Sequence, residues 1–249
     1  MEKFFINLGR KLGNSVNRGK WYYNSIFGSE EEALQAEYIM GKKFAADIER
    51  DMKVAGNSSL QISLDEIGGK LIKKVRNKQR QFNFNVILTN DINAFALPGG
   101  FIFITFALLD KINHSKDEIA FVLAHEIVHV VLKHPINRIV ADYSTQIISN
   151  IVVKGGVLGV VAKQALASML KNSYSQDNEL EADHYAVRMM YGAGFDPQSA
   201  KTLLARLKQS SPEDYPIYNY FLSHPSIDER IRLIDIVTRQ RQMVVSNSP

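Results

Sequence analysis

Residues 115–135 read SKDEIAFVLAHEIVHVVLKHP, and the interpretation of the whole chain starts from this stretch. Ser115 and Glu118 have the spacing of a capping box, which marks the start of a helix. The residues that follow are almost all apolar, so we expect this helix to be buried on most of its faces. Pro135 disfavours helical backbone at the residue before it, so the helix is predicted to end by Lys133.

Two histidines lie four residues apart inside this predicted helix, in the sequence His125-Glu126-Ile127-Val128-His129. Four residues advance a helix by little more than one turn, so both imidazoles project from one face and can bind one metal ion. Glu126 stands next to them and is the candidate general base. A catalytic zinc ion needs three protein ligands and an open position for water, so a third ligand must come from elsewhere in the chain.

The segment at residues 179–183, ELEAD, is the best source of that third ligand. Glu179 and Asp183 are four residues apart on a helix predicted to begin near Ser175, so both can face the metal. We expect Glu179 to bind zinc and Asp183 to hold a ligand histidine through its second ring nitrogen. The alternative is a solvated acidic helix start. His134 is predicted to be a cation at a helix end rather than a ligand.

The composition is that of an ordinary globular protein, with 249 residues, 45% hydrophobic content and 22% charged content. These values exclude disordered and fibrous classes. The chain has no cysteine, which excludes a disulfide scaffold and a Cys-ligated zinc site. The pattern of apolar residues predicts a mostly helical α+β fold with a small β-sheet. We expect a single domain over residues 29–240, a basic segment over 1–28 and a polar tail over 241–249.

Hydrophobic periodicity and turn residues give the remaining elements. One long helix is predicted from Ser29 to Met52, and a second begins with a capping-box pair at Ser63 and Glu66. Two strands are predicted, an alternating one from Phe82 to Thr89 and an apolar one from Phe101 to Phe106, with a turn at 98–100 before the second strand. Further helices are predicted to begin at Asp196 and Ser226.

The formal charge of +4 is carried entirely by the first twenty residues. Apolar residues in that stretch fall near one helical face, a pattern compatible with an anionic membrane surface or an acidic partner. A solvated first helix is the alternative. Nucleic acid is not a predicted partner, because the chain lacks clusters of basic residues with stacking aromatics. Neither an export signal nor a membrane-spanning stretch is expected.

Four motifs in order resemble those of the gluzincin metallopeptidases of the CAAX prenyl protease, HtpX and BepA group. They are Asn93–Gly100 (NAFALPGG), His125–His129, Glu179–Asp183 and the sequence SHPS at 223–226. The resemblance implies a zincin-like fold with a small sheet beside the histidine helix, one zinc ion per chain and metalloendopeptidase activity. It matches Glu179 to the third ligand and Asp183 to the aspartate behind a ligand histidine. It departs from the family at Gln176, where members often carry arginine.

The predicted mechanism has zinc lowering the pKa of a bound water while Glu126 accepts the proton and passes it to the departing amine. His224 could donate a hydrogen bond to the tetrahedral oxyanion, or it could fill the fourth zinc position and hold the enzyme latent. A loop histidine stacked against Pro225 is the alternative for His224.

The resemblance also gives expectations about the substrate and the location. Asn93, Ala94, Phe95 and Ala96 are expected to lie between strands and to pair with an extended substrate backbone, so broad specificity for unfolded or misassembled envelope proteins follows. The soluble BepA-like branch is the nearest match, which implies a periplasmic or peripheral envelope location, with the cytoplasm as the alternative. A latent or non-proteolytic chaperone or binding module stabilised by zinc is the alternative function. Residues 155–170 could form a lid, an interfacial patch or an ordinary core helix.

Overall fold

A computed structural model of the chain describes residues 29–56, 58–139, 174–209 and 227–246. Three sequence predictions lie outside these ranges: the basic segment 1–28, the stretch 155–170 and the motif at 223–226 that contains His224. The helices are α1 (Glu30–Asp51), α2 (Ser59–Ile72), α3 (Phe106–Lys111), α4 (Lys116–Val131), α5 (Gln176–Ala193), α6 (Gln198–Gln209) and α7 (Ile227–Ser246). The strands are β1 (Asn83–Ile87), β2 (Ala94–Leu97) and β3 (Phe101–Thr105). The mostly helical α+β class predicted from the sequence is confirmed.

Serine caps fix the starts of the first two helices. Ser29 and Glu32 form a complete capping box at α1, as the predicted start of that helix requires. Helix α2 begins one turn earlier than predicted, because Ser58 rather than Ser63 accepts the capping hydrogen bond, from the amide of Gln61. The predicted start at Ser63 is therefore wrong. The apolar face of the helix extends upstream through Leu60, which packs against the core.

The three strands form one mixed sheet in the order β1-β3-β2, with β1 parallel and β2 antiparallel to β3. Strand β3 is buried along its whole length, which explains its continuous apolar sequence. Residues 94–97 form a strand of their own, so the prediction that Asn93–Ala96 lies between strands is wrong. Both faces of β2 are covered, so it lacks the alternation of polar and apolar residues by which a half-buried strand is recognised.

The turn between β2 and β3 packs tightly against α1. Gly99 has φ 72°, and a Cβ atom there would lie 2.4 Å from the Cα atom of Tyr38. A Cβ atom on Gly41 would lie 1.8 Å from the carbonyl oxygen of Pro98. Glycine is required at these positions because the backbones of the turn and the helix almost touch. The contact fixes the edge of the sheet relative to α1.

Helix α4 is the central element of the fold and packs against the sheet, α2, α5 and α6. The Ser115 hydroxyl accepts a hydrogen bond from the backbone amide of Glu118, as predicted. The carboxylate of Glu118 does not complete a capping box, because it binds Arg206 of α6 at 2.5 and 2.9 Å. The helix ends at Val131, and Lys133 follows in left-handed conformation with φ 61°. The predicted end of this helix by Lys133 is confirmed.

Two observations concern the ends and the surface of the fold. Helix α7 continues to Ser246, past the predicted boundary between the domain and the polar tail at residues 240 and 241. Among the helices that the structure describes, none is both long enough and apolar enough to cross a membrane.

Candidate metal centre

Packing of α4 against α5 brings His125, His129 and Glu179 together in the interior. The Nε2 atoms of the two histidines are 2.9 Å apart. The carboxylate oxygens of Glu179 lie 3.4 Å from Nε2 of His125 and 3.3 Å from Nε2 of His129. All three side chains are at most 2% exposed. The three residues that the sequence predicts as ligands therefore converge on one point.

The donor set fits a zinc ion. Ligand atoms about 2.0–2.2 Å from zinc at tetrahedral angles lie roughly 3.3–3.5 Å from one another. The two separations that involve Glu179 match this range, and the two histidine nitrogens lie closer, at 2.9 Å. Two imidazole nitrogens and one carboxylate are the ligands of known catalytic zinc sites. Three carboxylates are buried here, those of Glu126, Glu179 and Asp183. In the described part of the chain, Arg230 is the buried cation that lies among them. A divalent cation would balance the two formal negative charges that remain.

Asp183 lies behind His125, one turn along α5 from Glu179. Its Oδ1 atom is 2.9 Å from Nδ1 of His125, the nitrogen that faces away from the other two donors. A carboxylate in this position accepts the Nδ1 proton and leaves the lone pair of Nε2 for a metal. The structure thus places Asp183 where the sequence analysis expects it.

Arg230 of α7 is the residue of this centre that sequence analysis missed. Its Nε and Nη2 atoms donate to the two oxygens of Asp183 at 2.6 and 2.9 Å, and its Nη1 atom is 3.0 Å from Glu179. The side chain is completely buried. Arg230, Ile234 and Val237 share the buried face of α7, so an arginine on an apolar stripe was the available sequence signal.

Electrostatics inside the cluster shift two pKa values. Burial lowers the pKa of His125, but the Glu179 carboxylate together with the hydrogen bond to Asp183 outweighs it and raises the pKa to about 9. Burial raises the pKa of Asp183, but the charge of Arg230 and the hydrogen bond from His125 outweigh it and lower the pKa below its usual value. The raised pKa of His125 reports its carboxylate neighbours, whereas the lowered pKa of Asp183 reports the positive charge of Arg230, so Asp183 stays ionised.

The remaining residues around the histidine motif are also buried. Glu126 is 1% exposed. Burial raises the pKa of the Tyr174 hydroxyl, and the negative charge of Glu126 raises it further. His134 is 7% exposed and its Nδ1 atom is 2.7 Å from Nδ1 of His129. Burial lowers the pKa of His134, so the prediction of a cation at the helix end is wrong. The backbone turn at Lys133 is the reason, because it folds the His134 side chain back against α4.

Strand β2 lies at the edge of the sheet that borders α4, and its alanines face the protein interior. Ala94 and Ala96 are at most 1% exposed, whereas Phe95 between them is partly exposed. The backbone of Asn93 is bound to Thr105 through two hydrogen bonds of 3.0 Å. The side-chain oxygen of Asn93 is buried without a hydrogen-bond partner among the described residues.

Gln176 departs from the motif of similar proteins, and the structure shows what it does instead. Its side-chain amide donates to the carboxylate of Glu229 on α7. A neutral side chain thus connects the start of α5 to α7. The resemblance described above implies that arginine is common at this position.

The fold and the centre define the class of the protein as a zincin-like metallopeptidase. A helix beside a small sheet carries two histidines four residues apart, and a second helix supplies a glutamate. The chain belongs to peptidase family M48, whose model matches residues 58–237. M48 is a family of metalloendopeptidases.

Relatives in bacteria and in mitochondria are similar to this chain. It is 27% identical to the beta-barrel assembly-enhancing protease of Yersinia pestis over 85% of the chain and 45% of the relative. It is 32% identical to the mitochondrial metalloendopeptidase OMA1 of Schizosaccharomyces pombe over 62% of the chain and 46% of the relative. It is 25% identical to the metalloprotease LoiP of Escherichia coli over 85% of the chain and 86% of the relative. The chain thus spans less than half of the length of the first two relatives.

Proposed function

We propose that the protein is a zinc-dependent metalloendopeptidase that holds one zinc ion through His125, His129 and Glu179. The observation that carries the proposal is the convergence of these three donors within 3.4 Å of one another in the interior. Asp183 and Arg230 hold two of the ligands in place, since Asp183 accepts from His125 and Arg230 binds both carboxylates.

The chemistry assigned to the chain is peptide-bond hydrolysis. A bound zinc ion would lower the pKa of a water molecule and polarise the scissile carbonyl. Glu126 is the proposed general base, because it follows His125 directly on α4 and is buried beside the ligands. It would take the proton from the water and deliver it to the departing amine.

The edge strand β2 is the proposed place where the substrate backbone pairs. An extended peptide can add to an exposed sheet edge through main-chain hydrogen bonds, which read shape more than sequence. The side-chain oxygen of Asn93, which has no hydrogen-bond partner within the described part of the chain, is an acceptor just before this strand. Unfolded or misassembled proteins of the cell envelope are the proposed substrates, because two relatives named beta-barrel assembly-enhancing protease support such a role.

Two further parts of the proposal come from the sequence. His224 is proposed as a donor to the oxyanion or as a fourth zinc ligand in a latent form. Residues 1–20 are proposed to contact an anionic membrane surface or an envelope protein, which agrees with a periplasmic or peripheral envelope location. Nucleic acid is not a proposed partner.

The test compares the parent protein with Glu126→Gln, a variant that keeps every proposed ligand. Zinc content is measured by elemental analysis, and cleavage is followed on unfolded casein. We expect one zinc per chain in both proteins and a loss of cleavage of about 100-fold or more in the variant, since general bases contribute about 10²–10⁴-fold.

Two results would contradict the proposal. A parent that holds no zinc would remove the metal assignment. A parent that holds zinc and cleaves no faster than Glu126→Gln, even after His224→Ala, would support a zinc-stabilised binding module instead. Thermal unfolding of each variant shows that the fold is intact.

A further inference from the structure

The outer nitrogen of His129 makes a short contact that the proposed mechanism does not use. His129 directs Nε2 toward Glu179 and His125, whereas its Nδ1 atom lies 2.7 Å from Nδ1 of His134. Both imidazoles are buried, at 0% and 7% exposure. Two ring nitrogens at this distance form a hydrogen bond only when one of them carries a proton and the other a lone pair.

Metal binding decides which nitrogen carries the proton. A neutral histidine that offers the lone pair of Nε2 to a metal has its proton on Nδ1. His129 must then be the donor, and Nδ1 of His134 must be the acceptor. His134 consequently has its own proton on Nε2. The Oε2 atom of Glu181 lies 3.8 Å from that nitrogen, and its negative charge favours the same tautomer.

A second contact fixes the plane of the His129 ring. The ring of Tyr174 is stacked on it with 4.1 Å between centroids and an angle of 16° between planes. The guanidinium of Arg138 lies 4.6 Å from the centroid of Tyr174, in the geometry of a cation–π contact. Tyr174 thus restricts tilting of the imidazole, and His134 restricts its rotation within the plane.

The two ligand histidines therefore have different outer partners. His125 faces Asp183, an ionised carboxylate that Arg230 binds through two hydrogen bonds. His129 faces a neutral imidazole. A fourth buried carboxylate here would add negative charge to a centre whose formal charge one divalent cation would already balance, so a neutral acceptor suits this position.

We propose that His134 is a positioning residue, which accepts the Nδ1 proton of His129 and holds Nε2 of that ligand on the metal. The inference rests on the zinc site of the proposed function and adds a residue to it. His134 touches neither the metal nor the substrate in this role. Loss of the acceptor weakens metal binding, because outer partners of zinc-ligating histidines typically contribute about 10–100-fold in affinity.

A matched pair of variants separates this role from simple filling of space. His134→Asn places an amide oxygen close to the position of Nδ1 and keeps an acceptor. His134→Leu introduces an apolar side chain of comparable size that has no hydrogen-bond acceptor. The zinc dissociation constant is measured by competition with a chromophoric chelator. The visible absorption of the Co²⁺-substituted protein reports the geometry of the ligands independently of enzymatic activity.

We expect His134→Leu to raise the zinc dissociation constant by about 10–100-fold and to change the Co²⁺ spectrum. His134→Asn should stay within about threefold of the parent and keep the parent spectrum. Two outcomes overturn the inference: a parent-like affinity and spectrum in His134→Leu, or equal weakening in both variants, which would indicate a packing role.

Failure of the inference is distinguishable from failure of the proposed function. If the parent binds neither zinc nor Co²⁺, the metal site itself is wrong and the proposed function fails with it. If the parent binds zinc and Glu126→Gln abolishes cleavage while His134→Leu behaves as the parent, only the role of His134 is rejected. Circular dichroism of both His134 variants confirms that the comparison is made between folded proteins.

Discussion

At the scale of single residues, the centre depends on one buried arginine. Arg230 is completely buried, binds both Asp183 and Glu179, and favours the ionised form of Asp183 by lowering the pKa of that carboxyl. Removal of one partner from a buried ion pair leaves an uncompensated charge, which is far more costly than the pair itself is stabilising. The arginine therefore makes the acidic centre compatible with folding before a metal binds.

We predict that Arg230→Met destabilises the metal-free protein by about 3–5 kcal/mol, because two carboxylates lose a completely buried partner. Arg230→Lys should lose less stability, since lysine keeps the positive charge but cannot form the bidentate hydrogen bonds of arginine. The measurement is urea unfolding in the presence of a metal chelator. Arg239→Ala serves as the control, because this exposed arginine pairs with Asp235 on the surface and should leave stability unchanged. Equal stability of Arg230→Met and the parent would contradict the prediction.

At the scale of elements, the position of the sheet edge depends on a close contact between α1 and the turn at 98–100. Gly99 adopts φ 72°, and the space for its Cβ atom is occupied by the backbone of Tyr38. Because backbone atoms rather than a flexible side chain fill that space, the contact cannot relax without moving the helix or the strand. Strand β2 directly precedes the turn and packs on α4, so this contact also positions the metal-binding helix.

We predict opposite effects of two glycine substitutions on stability. Gly99→Ala should destabilise the fold by at least about 1 kcal/mol, through a strained φ and a clash with α1. Gly69→Ala should stabilise it by about 0.5–1 kcal/mol, because this helical glycine in α2 has open space around it. Chemical denaturation of both variants checks the sign of each effect. A stabilising Gly99→Ala would show that the turn does not pack as described.

At the scale of the whole molecule, the centre joins segments that are far apart in the sequence. Helix α4 supplies the histidines, α5 supplies Glu179 and Asp183, and α7 supplies Arg230. The histidines and Glu179 lie on different helices, so a bound metal ion would connect α4 to α5. A ligand that binds only the folded state stabilises the protein by mass action.

We predict that removal of zinc lowers the melting temperature and that re-addition restores it. At a free zinc concentration about 100 times the dissociation constant, the folded state gains about 2.7 kcal/mol. For a chain of this size, that corresponds to a shift of about 5–10 °C. Differential scanning calorimetry at buffered zinc concentrations measures the shift. Glu179→Gln should respond by less than about 2 °C, and a response equal to that of the parent would contradict the ligand assignment.

The local parts of the fold could be predicted because short-range chemistry fixes them. Serine caps mark the starts of α1, α4 and α5, and the spacing of His125 and His129 predicts a shared helical face. The wrong prediction for the start of α2 has a physical cause. Ser63 and Ser58 offer similar capping chemistry, and only the extent of the buried face decides between them. Strand β2 was missed because its residues are buried on both faces, which removes the alternation.

The sequence by itself determined the class of the chain, its helical character and the donor types at the centre, because helical spacing places residues four apart on one face. Only the tertiary structure decided that Arg230 binds Asp183 and Glu179, that His134 contacts the outer nitrogen of His129, and that residues 94–97 form an edge strand. These contacts join residues distant along the chain or separated by a tight backbone turn. Packing determines such distances, and local sequence patterns do not contain them.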